Sequence, residues 1–502
     1  MQIDRRTALT YGATFVGAGL VPWGGLLAQT ATPASGTVLT PEQFGAKGDG
    51  RTNDTAAFVA LSARLQQLGG GTIDLRRGAT YIVGAQRRGR PGEHYGYVPE
   101  TIIGVRGATR PLVVRGNGAK LRAAPGLRFG TFNPATGAAT QHRLPFTDIS
   151  ELAVPYHSMI GFAECSGPIT IENVELDGNI RQMNKGGPFG DTGIQGPGSG
   201  VILYKNSHDE IVRNVFAHHH PQDGMMIDGL WERALAGRTR RIDNFKAEYN
   251  ARQGCSVVAG RGYSFTNCRF AHTGKAGSNS PPAAGVDIEA EDGRQIRDLR
   301  FENCTFVDNA GCGMVADSGD TDGAQFIRCT FIGNTMWSCW PSKPNFHFRN
   351  CTFVGAVVRS YGHGERDPTK ATQYFDCTFT DDPALSETGQ VYLPEGRVGT
   401  ICDVAVGDNT TFHRCTFRLI RGGLMPWSWR AIYIDVNMTQ ASPVTAMPKG
   451  RYIGTNTIRG PIDPTGIIVD GTLTVNGTVH RAGTRFGGAP TDREWPRPPL
   501  QR

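Results

Sequence analysis

From about residue 165 onward, apolar residues come in short bursts that alternate with polar ones and are broken by turn-forming residues. Ile169-Thr170-Ile171-Glu172-Asn173-Val174 sets the rhythm, and Ile211-Val212-Arg213-Asn214-Val215-Phe216 repeats it. Ser264-Phe265-Thr266-Asn267-Cys268-Arg269-Phe270 recurs as Arg300-Phe301-Glu302-Asn303-Cys304-Thr305-Phe306. The unit returns around Cys329-Thr330-Phe331, Cys351-Thr352-Phe353, Cys377-Thr378-Phe379 and Cys415-Thr416-Phe417. Alternation with a period of two predicts strands with one buried face. The steps between repeats run from 22 residues (Cys329 to Cys351) to 38 (Cys377 to Cys415). A period in this range, with no helical segment between the strands, predicts a β-solenoid whose variable spacing is absorbed by corner insertions.

One strand-like stretch carries an unusual charge pattern. In Gly285-Val286-Asp287-Ile288-Glu289-Ala290-Glu291, apolar Val286 and Ile288 alternate with acidic Asp287 and Glu289. Two carboxylates two residues apart on a strand point the same way, about 6.5–7 Å apart. Gly224-Met225-Met226-Ile227-Asp228, Gly254-Cys255-Ser256-Val257-Val258 and Gly313-Met314-Val315-Ala316-Asp317 align with it on their glycines. Stacked in register, these strands are expected to form an outward column of Asp228, Glu289 and Asp317, interrupted by Val258. Asp287 lies beside the column and Asp223 at its edge. The insertion Thr273–Ala284 and the turn His218-His219-His220-Pro221-Gln222 run directly into these acids and are expected to wall them. Further insertions are Asn184–Gly200, Gly362–Thr372 and Asp381–Gly396.

Six of the 11 cysteines share one repeat position. They are expected to be buried and reduced in a single column beside a ladder of phenylalanines, because unpaired cysteine behaves as a small hydrophobe. Ligands strung along an axis at about 4.8 Å steps suit packing better than a metal or redox centre.

The amino-terminal stretch reads differently. Asp4-Arg5-Arg6-Thr7-Ala8-Leu9 leads into an apolar, glycine-rich run and then small residues, and resembles a twin-arginine export signal over residues 1–31. No later stretch reaches the ~20 apolar residues of a membrane span. The mature chain is therefore expected to be periplasmic or secreted, with no membrane contact once the signal is removed. Residues 489–502 are rich in proline and charge and are expected to be disordered. The 67 glycines suit an exported β protein, and the net charge of +7 mildly favours acidic glycans. No helix-turn-helix, zinc-finger spacing or basic-aromatic stripe points to nucleic acid.

Phe44-Gly45-Ala46-Lys47-Gly48-Asp49-Gly50-Arg51-Thr52-Asn53-Asp54-Thr55-Ala56-Ala57-Phe58 joins turn chemistry at Gly48-Asp49-Gly50 to a helix start at Asn53 or Asp54. Phe58, Leu61, Leu65 and Leu68 then share one helical face, and Gly69-Gly70-Gly71 ends it. This segment closely resembles the opening of the pectate-lyase-like right-handed β-helix superfamily, which includes polygalacturonase relatives and tailspike-type polysaccharide depolymerases. The resemblance implies an all-β fold. It would be a single right-handed parallel β-helix over 37–488, with an amino-terminal capping helix and a polysaccharide substrate. Polygalacturonase relatives gather aspartates on neighbouring coils, as here, although their Asn-Thr-Asp and Asp-Asp motifs do not fall at the expected coils and Gly362-His363-Gly364 comes several coils late.

Three readings of the acids follow. In a glycoside hydrolase, one protonated carboxyl and one ionised carboxyl flank the scissile bond, with Glu289 as acid, Asp287 as base, and Asp317, Asp228 and Asp223 in support. No cofactor is needed there. In a polysaccharide lyase acting on a uronate-containing glycan, the acids hold Ca2+. The base and electrophile then come from Arg359, Tyr361, His219 or His220. In the third reading the protein only binds glycan. Trp337 and Trp340 are candidate sugar platforms, with His219, His220, Arg359 and Tyr361 as further substrate contacts. The hydrolase reading is the one expected.

Overall fold

The computed structural model describes residues 36–90, 95–141, 154, 157–187, 198–362, 368–394, 399–404 and 408–495. The export signal expected at 1–31, most of the 184–200 insertion, His363 with Gly364, and residues 496–502 lie outside the described residues.

The alternating segments are strands, and they stack coil upon coil. Each coil contributes up to three strands. In one turn of the solenoid these are Gln253–Arg261, Tyr263–Thr266 and Arg269–Ala271. Each pairs in parallel with its counterpart in the next coil, as Phe265 with Phe301 and Phe270 with Phe306. Parallel pairing continues to the last coils, where Thr472–Val475 and Thr478–Arg481 form an antiparallel hairpin. The coils begin before the repeat is obvious in the sequence: Leu112–Ala123 already pairs with Ile169–Asp177.

Identical residues at identical positions become ladders. Phe265, Phe301, Phe326, Phe348, Tyr374 and Phe412 stack ring on ring at 4.5–5.1 Å. A second ladder runs through Phe270, Phe306, Phe331, Phe353, Phe379 and Phe417. Cys268, Cys304, Cys329, Cys351, Cys377 and Cys415 are buried and free, as their shared position predicted. The carbonyl of each of the first five accepts an N–H from the residue after the next cysteine, as Thr305 to Cys268 and Thr330 to Cys304. Burial pushes the Cys268 and Cys377 thiols well up.

The corner before this column needs a left-handed backbone. Asn173, Asn214, Asn244, Asn267, Asn303 and Asn350 take it, with φ between 48° and 57°. Asparagine tolerates that region because its short amide bonds locally. Here the amides bond one another: Asn214 donates to Asn173 and Asn244 to Asn214, both at 2.9 Å.

The sequence predicts the helix, α1, at Thr55–Leu68, with Phe58, Leu61 and Leu65 fully buried in the core. It packs on the strand Ile103–Arg106. Asp54 does not cap it. Its carboxylate instead accepts the Lys47 and Gly48 N–H groups, tying down the preceding turn. Asn53 takes the first helical N–H, from Thr55.

Residues 489–495, expected from the sequence to belong to a disordered tail, are packed against the last coils. Trp495 is buried against Ile432 and Ile468, its ring N–H donates to Asn409, and Asp492 pairs with Arg451. An indole with an apolar seat and a hydrogen-bond partner outweighs the ordering cost of the few residues before it.

Candidate active site

One sheet of the solenoid carries the acids. Its strands are Ser199–Tyr204, Asp223–Asp228, Gln253–Arg261, Ala284–Ile288, Met314–Ala316 and Cys339–Pro341, paired in that order. The register is the one the glycines predicted: Met225 opposes Cys255, which opposes Val286, which opposes Met314. The reason for the glycines is close approach. A Cβ at Gly224, Gly254, Gly285 or Gly313 would stand 2.3–2.7 Å from the carbonyl oxygen of the neighbouring strand. Met225, Ile227, Cys255, Val257, Val286 and Ile288 fill the core beneath.

On the outer face, Ser256 opposes Asp287. The Ser256 hydroxyl donates to Asp223 at 2.9 Å, Arg252 Nη1 lies 3.3 Å from the same Asp223 oxygen, and the Gln253 amide donates to Asp287 at 2.7 Å. The result is a compact polar network over one edge of the sheet. It is not the open groove the alternation suggested: Asp223 is 0% exposed, Asp287 3% and Asp228 4%. The 273–284 insertion is itself well packed, with Thr273 and Ser280 fully buried. Burial pushes the Asp223 carboxyl up, against the pull of Arg252.

The fourth-position column is also revised. A bulge in Gln253–Arg261 shifts the pairing after Ile227, so Ala259 rather than Val258 opposes Asp228. Asp228 is ion-paired with Arg294, which also reaches Glu291 and Asp292. It serves that cluster rather than Glu289. Burial raises its carboxyl while Arg294 lowers it. Glu289 lies just past the strand end, where its carboxylate accepts the Ser318 hydroxyl. The ε-amine of Lys343 donates to the Gly319 carbonyl at 2.8 Å; burial lowers its basicity, opposed by the negative charge of Asp317 and Glu289.

The residue that sequence reasoning passed over is Glu291. It falls on the same parity as Asp287 and Glu289, so the signal was present in the alternation. Its N–H donates to the Val258 carbonyl, which folds the chain back over the bulge. Its side chain is 9% exposed, and Oε1 has no hydrogen-bond partner. Burial pushes its carboxyl up to about 8; Arg252 opposes this and Glu289 adds to it.

The remaining predicted residues divide. Trp340 stands in the row of Asp287, two strands along: Asp287 opposes Val315, which opposes Trp340. Trp337 meets it edge to face at 5.2 Å, and the Arg359 guanidinium lies 5.1 Å over the Trp340 ring. Tyr361 is fixed nearby through its backbone, bonded to Pro341 and Thr372. The histidines are not with the acids. His219 sits at a corner on the far side of the turn, stacked on Tyr249 at 5.2 Å. His220 is buried, bonded to the Leu176 carbonyl, and burial pushes it down to about 3. The turn's left-handed corner at His219 (φ 56°) turns the chain before Asp223 is reached.

Among the described residues, the group whose ligand atoms converge within 4.8 Å is Asp177, His218 and His219. On the candidate face Arg252 pairs with Asp223, and Arg294 with Asp228, Glu291 and Asp292. Among the described residues no helix is long and apolar enough to cross a membrane.

No curated protein matches the chain. Among solved structures, the A-module of the mannuronan C-5 epimerase AlgE4 of Azotobacter vinelandii aligns with a TM-score of 0.40 at 15% identity. That alignment covers 87% of this chain and 100% of that one. The Dettilon tailspike protein aligns at 0.38 and 11%, over 89% and 68% of the two chains. An exopolygalacturonase from Thermotoga maritima aligns at 0.26 and 12%, over 89% and 94%. Residues 158–354 match the family model described as the right handed beta helix region. The chain is an all-β protein in which parallel-stacked coils continue on both sides of that segment, an arrangement consistent with a right-handed β-helix.

Proposed function

We propose that the chain is an exported polysaccharide-degrading enzyme, a glycoside hydrolase whose acid is Glu291 and whose base is Asp287. The observation that carries this reading is Glu291. It holds a carboxyl raised to about 8, with one oxygen unpartnered, beside an acid network and an arginine. Glycosidic cleavage needs a carboxyl that still carries its proton at neutral pH, to donate to the leaving oxygen. Asp287, oriented by the Gln253 amide, activates water or attacks the sugar. Arg252 and Ser256 hold Asp223 and through it the shape of the network. Glu289 and Asp317 border the site. Trp340 offers a platform for a sugar ring, and Arg359 above it suits a carboxylate-bearing sugar. The substrate class is thus a polysaccharide or oligosaccharide, with acidic ones favoured. The leader at 1–31 delivers the enzyme to the periplasm or beyond, and α1 covers the amino-terminal coil.

A second reading, β-elimination by a lyase, is favoured by Lys343. Its amine is brought below the usual lysine range by burial. An amine nearer neutrality is a better base for a carbon-bound proton.

The test is turnover of neutral and acidic glycans by the purified chain, following reducing ends and ultraviolet absorbance together. New reducing ends without absorbance establish the hydrolase. An absorbing, unsaturated product establishes the lyase and sinks the hydrolase. Retention of a glycan with no turnover leaves a binding protein.

A further inference from the structure

Asp177 ends the strand Ile169–Asp177 and His218 ends the strand Glu210–His218. The two residues are paired in register, so their side chains leave adjacent coils at the same place. His219 follows in the left-handed corner, its ring fixed by stacking on Tyr249. His218 Nδ1 lies 2.8 Å from His219 Nδ1 and 3.8 Å from Asp177 Oδ1. Two imidazole nitrogens that close share a proton or converge on a cation.

The surrounding hydrogen bonds choose which nitrogen is available. His218 Nε2 lies 3.0 Å from Glu175 Oε1. A carboxylate only accepts, so Nε2 carries the proton and Nδ1 presents its lone pair toward His219 and Asp177. A carboxylate behind the far nitrogen is the arrangement that orients metal-binding histidines. Lys120 in turn holds Glu175 at 2.8 Å. Arg122 holds the other oxygen of Asp177, Oδ2, at 3.2 Å, and Oδ1 also accepts the Asn179 N–H at 2.9 Å. His218 and Asp177 are both buried.

We propose that Asp177 Oδ1, His218 Nδ1 and His219 Nδ1 form a binding site for a divalent transition-metal ion of the zinc class. Two imidazoles and one carboxylate suit that class better than calcium or magnesium, which take oxygen ligands. Three protein ligands leave a fourth position for water or a ligand oxygen. The site lies at a different corner from the acid network and does not depend on it.

The test uses tag-free full-length protein freed of metal by a chelator. Zinc is titrated by calorimetry, and cobalt(II) by its visible absorption. One equivalent is expected to bind, with cobalt bands of low-coordinate geometry. Asp177→Asn and His219→Phe, which keeps the stack on Tyr249, abolish that binding. Glu175→Gln weakens it roughly 10–100-fold. His272 stacks on Tyr249 at 4.6 Å but lies outside the ligand set, so His272→Ala leaves binding unchanged. Circular dichroism confirms that each variant is folded. Absence of stoichiometric binding to the wild type, or binding that survives both ligand variants, overturns the site.

Discussion

Glu291 is the carboxyl proposed as the acid. Its neighbours in sequence, Asp287 and Glu289, have partners in Gln253 and Ser318. Glu291 accepts from Arg294 through Oε2, while its buried Oε1 has no hydrogen-bond partner. Glu291→Gln keeps the shape and removes the titrating proton, so kcat on the true substrate is expected to fall by ~10² or more. Steady-state kinetics on the folded variant measures this, and near-full activity would remove Glu291 from the mechanism. The same group makes stability depend on pH. Its folded carboxyl titrates near 8, above the usual 4.5, so the folded state binds more protons between those values. Stability from this group is therefore complete below about pH 4.5 and is lost as pH rises toward 8. Each unit between the folded and unfolded values is worth about 1.4 kcal/mol, an upper bound here because the site can relax. Glu291→Gln should flatten this decline, so that its melting temperature gains on the wild type between pH 5 and pH 9. Parallel melting curves would contradict the assignment. Asp287 and Glu289 were legible because alternation shows which residues share a face. What sets Glu291 apart is the turn at 291–294, closed by the Arg294 N–H on the Glu291 carbonyl, with Arg252 and Arg294 as the charges nearest its carboxyl, and alternation encodes none of this.

At the scale of elements, stability comes from like stacking on like. Phe306 lies 5.5 Å from Phe270 and 4.5 Å from Phe331, with no solvent exposure. Phe306→Ala opens a cavity in a ladder that cannot collapse along its axis. It is expected to cost about 3–5 kcal/mol, read from the shift of a denaturant midpoint. The asparagine corner makes a different demand. Asn214→Ala leaves a residue with a Cβ in the left-handed region (φ 54°) and breaks bonds to Asn173 and Asn244. A loss of about 1–3 kcal/mol is expected by the same measurement, and Asn214→Gly should recover part of it. The phenylalanine ladder was readable as a repeat of Cys-x-Phe, whereas the asparagine corner was not, since the residue before the cysteine varies. The bulge at Val258 was not, since one extra residue leaves no mark on a pattern with irregular loops.

The whole molecule is a stack in which each coil touches its neighbours. All 11 cysteines are free and buried. The folded protein should therefore resist thiol reagents, and all 11 thiols should react in denaturant. Rapid native labelling of Cys268, Cys304, Cys329, Cys351, Cys377 or Cys415 would refute the buried column. Because stability in a solenoid is a sum over coils and their interfaces, labelling at intermediate denaturant should appear in blocks of adjacent coils.

The sequence by itself determined the solenoid, its register on Gly224, Gly254, Gly285 and Gly313, the inward cysteine and phenylalanine columns, and the face on which the acids lie. These are periodic properties, and a period is written directly in the order of residues. Only the tertiary structure decided that Asp223 and Asp287 are buried in a network with Gln253, Arg252 and Ser256. It also decided that Asp228 belongs to Arg294, that burial raises the Glu291 carboxyl along with those of Asp223 and Asp228, and that His219 turns away from the acids toward Asp177. Each of these depends on which side chains meet across coils 29–66 residues apart in sequence. Those meetings are set by the lengths of irregular corners and one bulge, which carry no periodic signature.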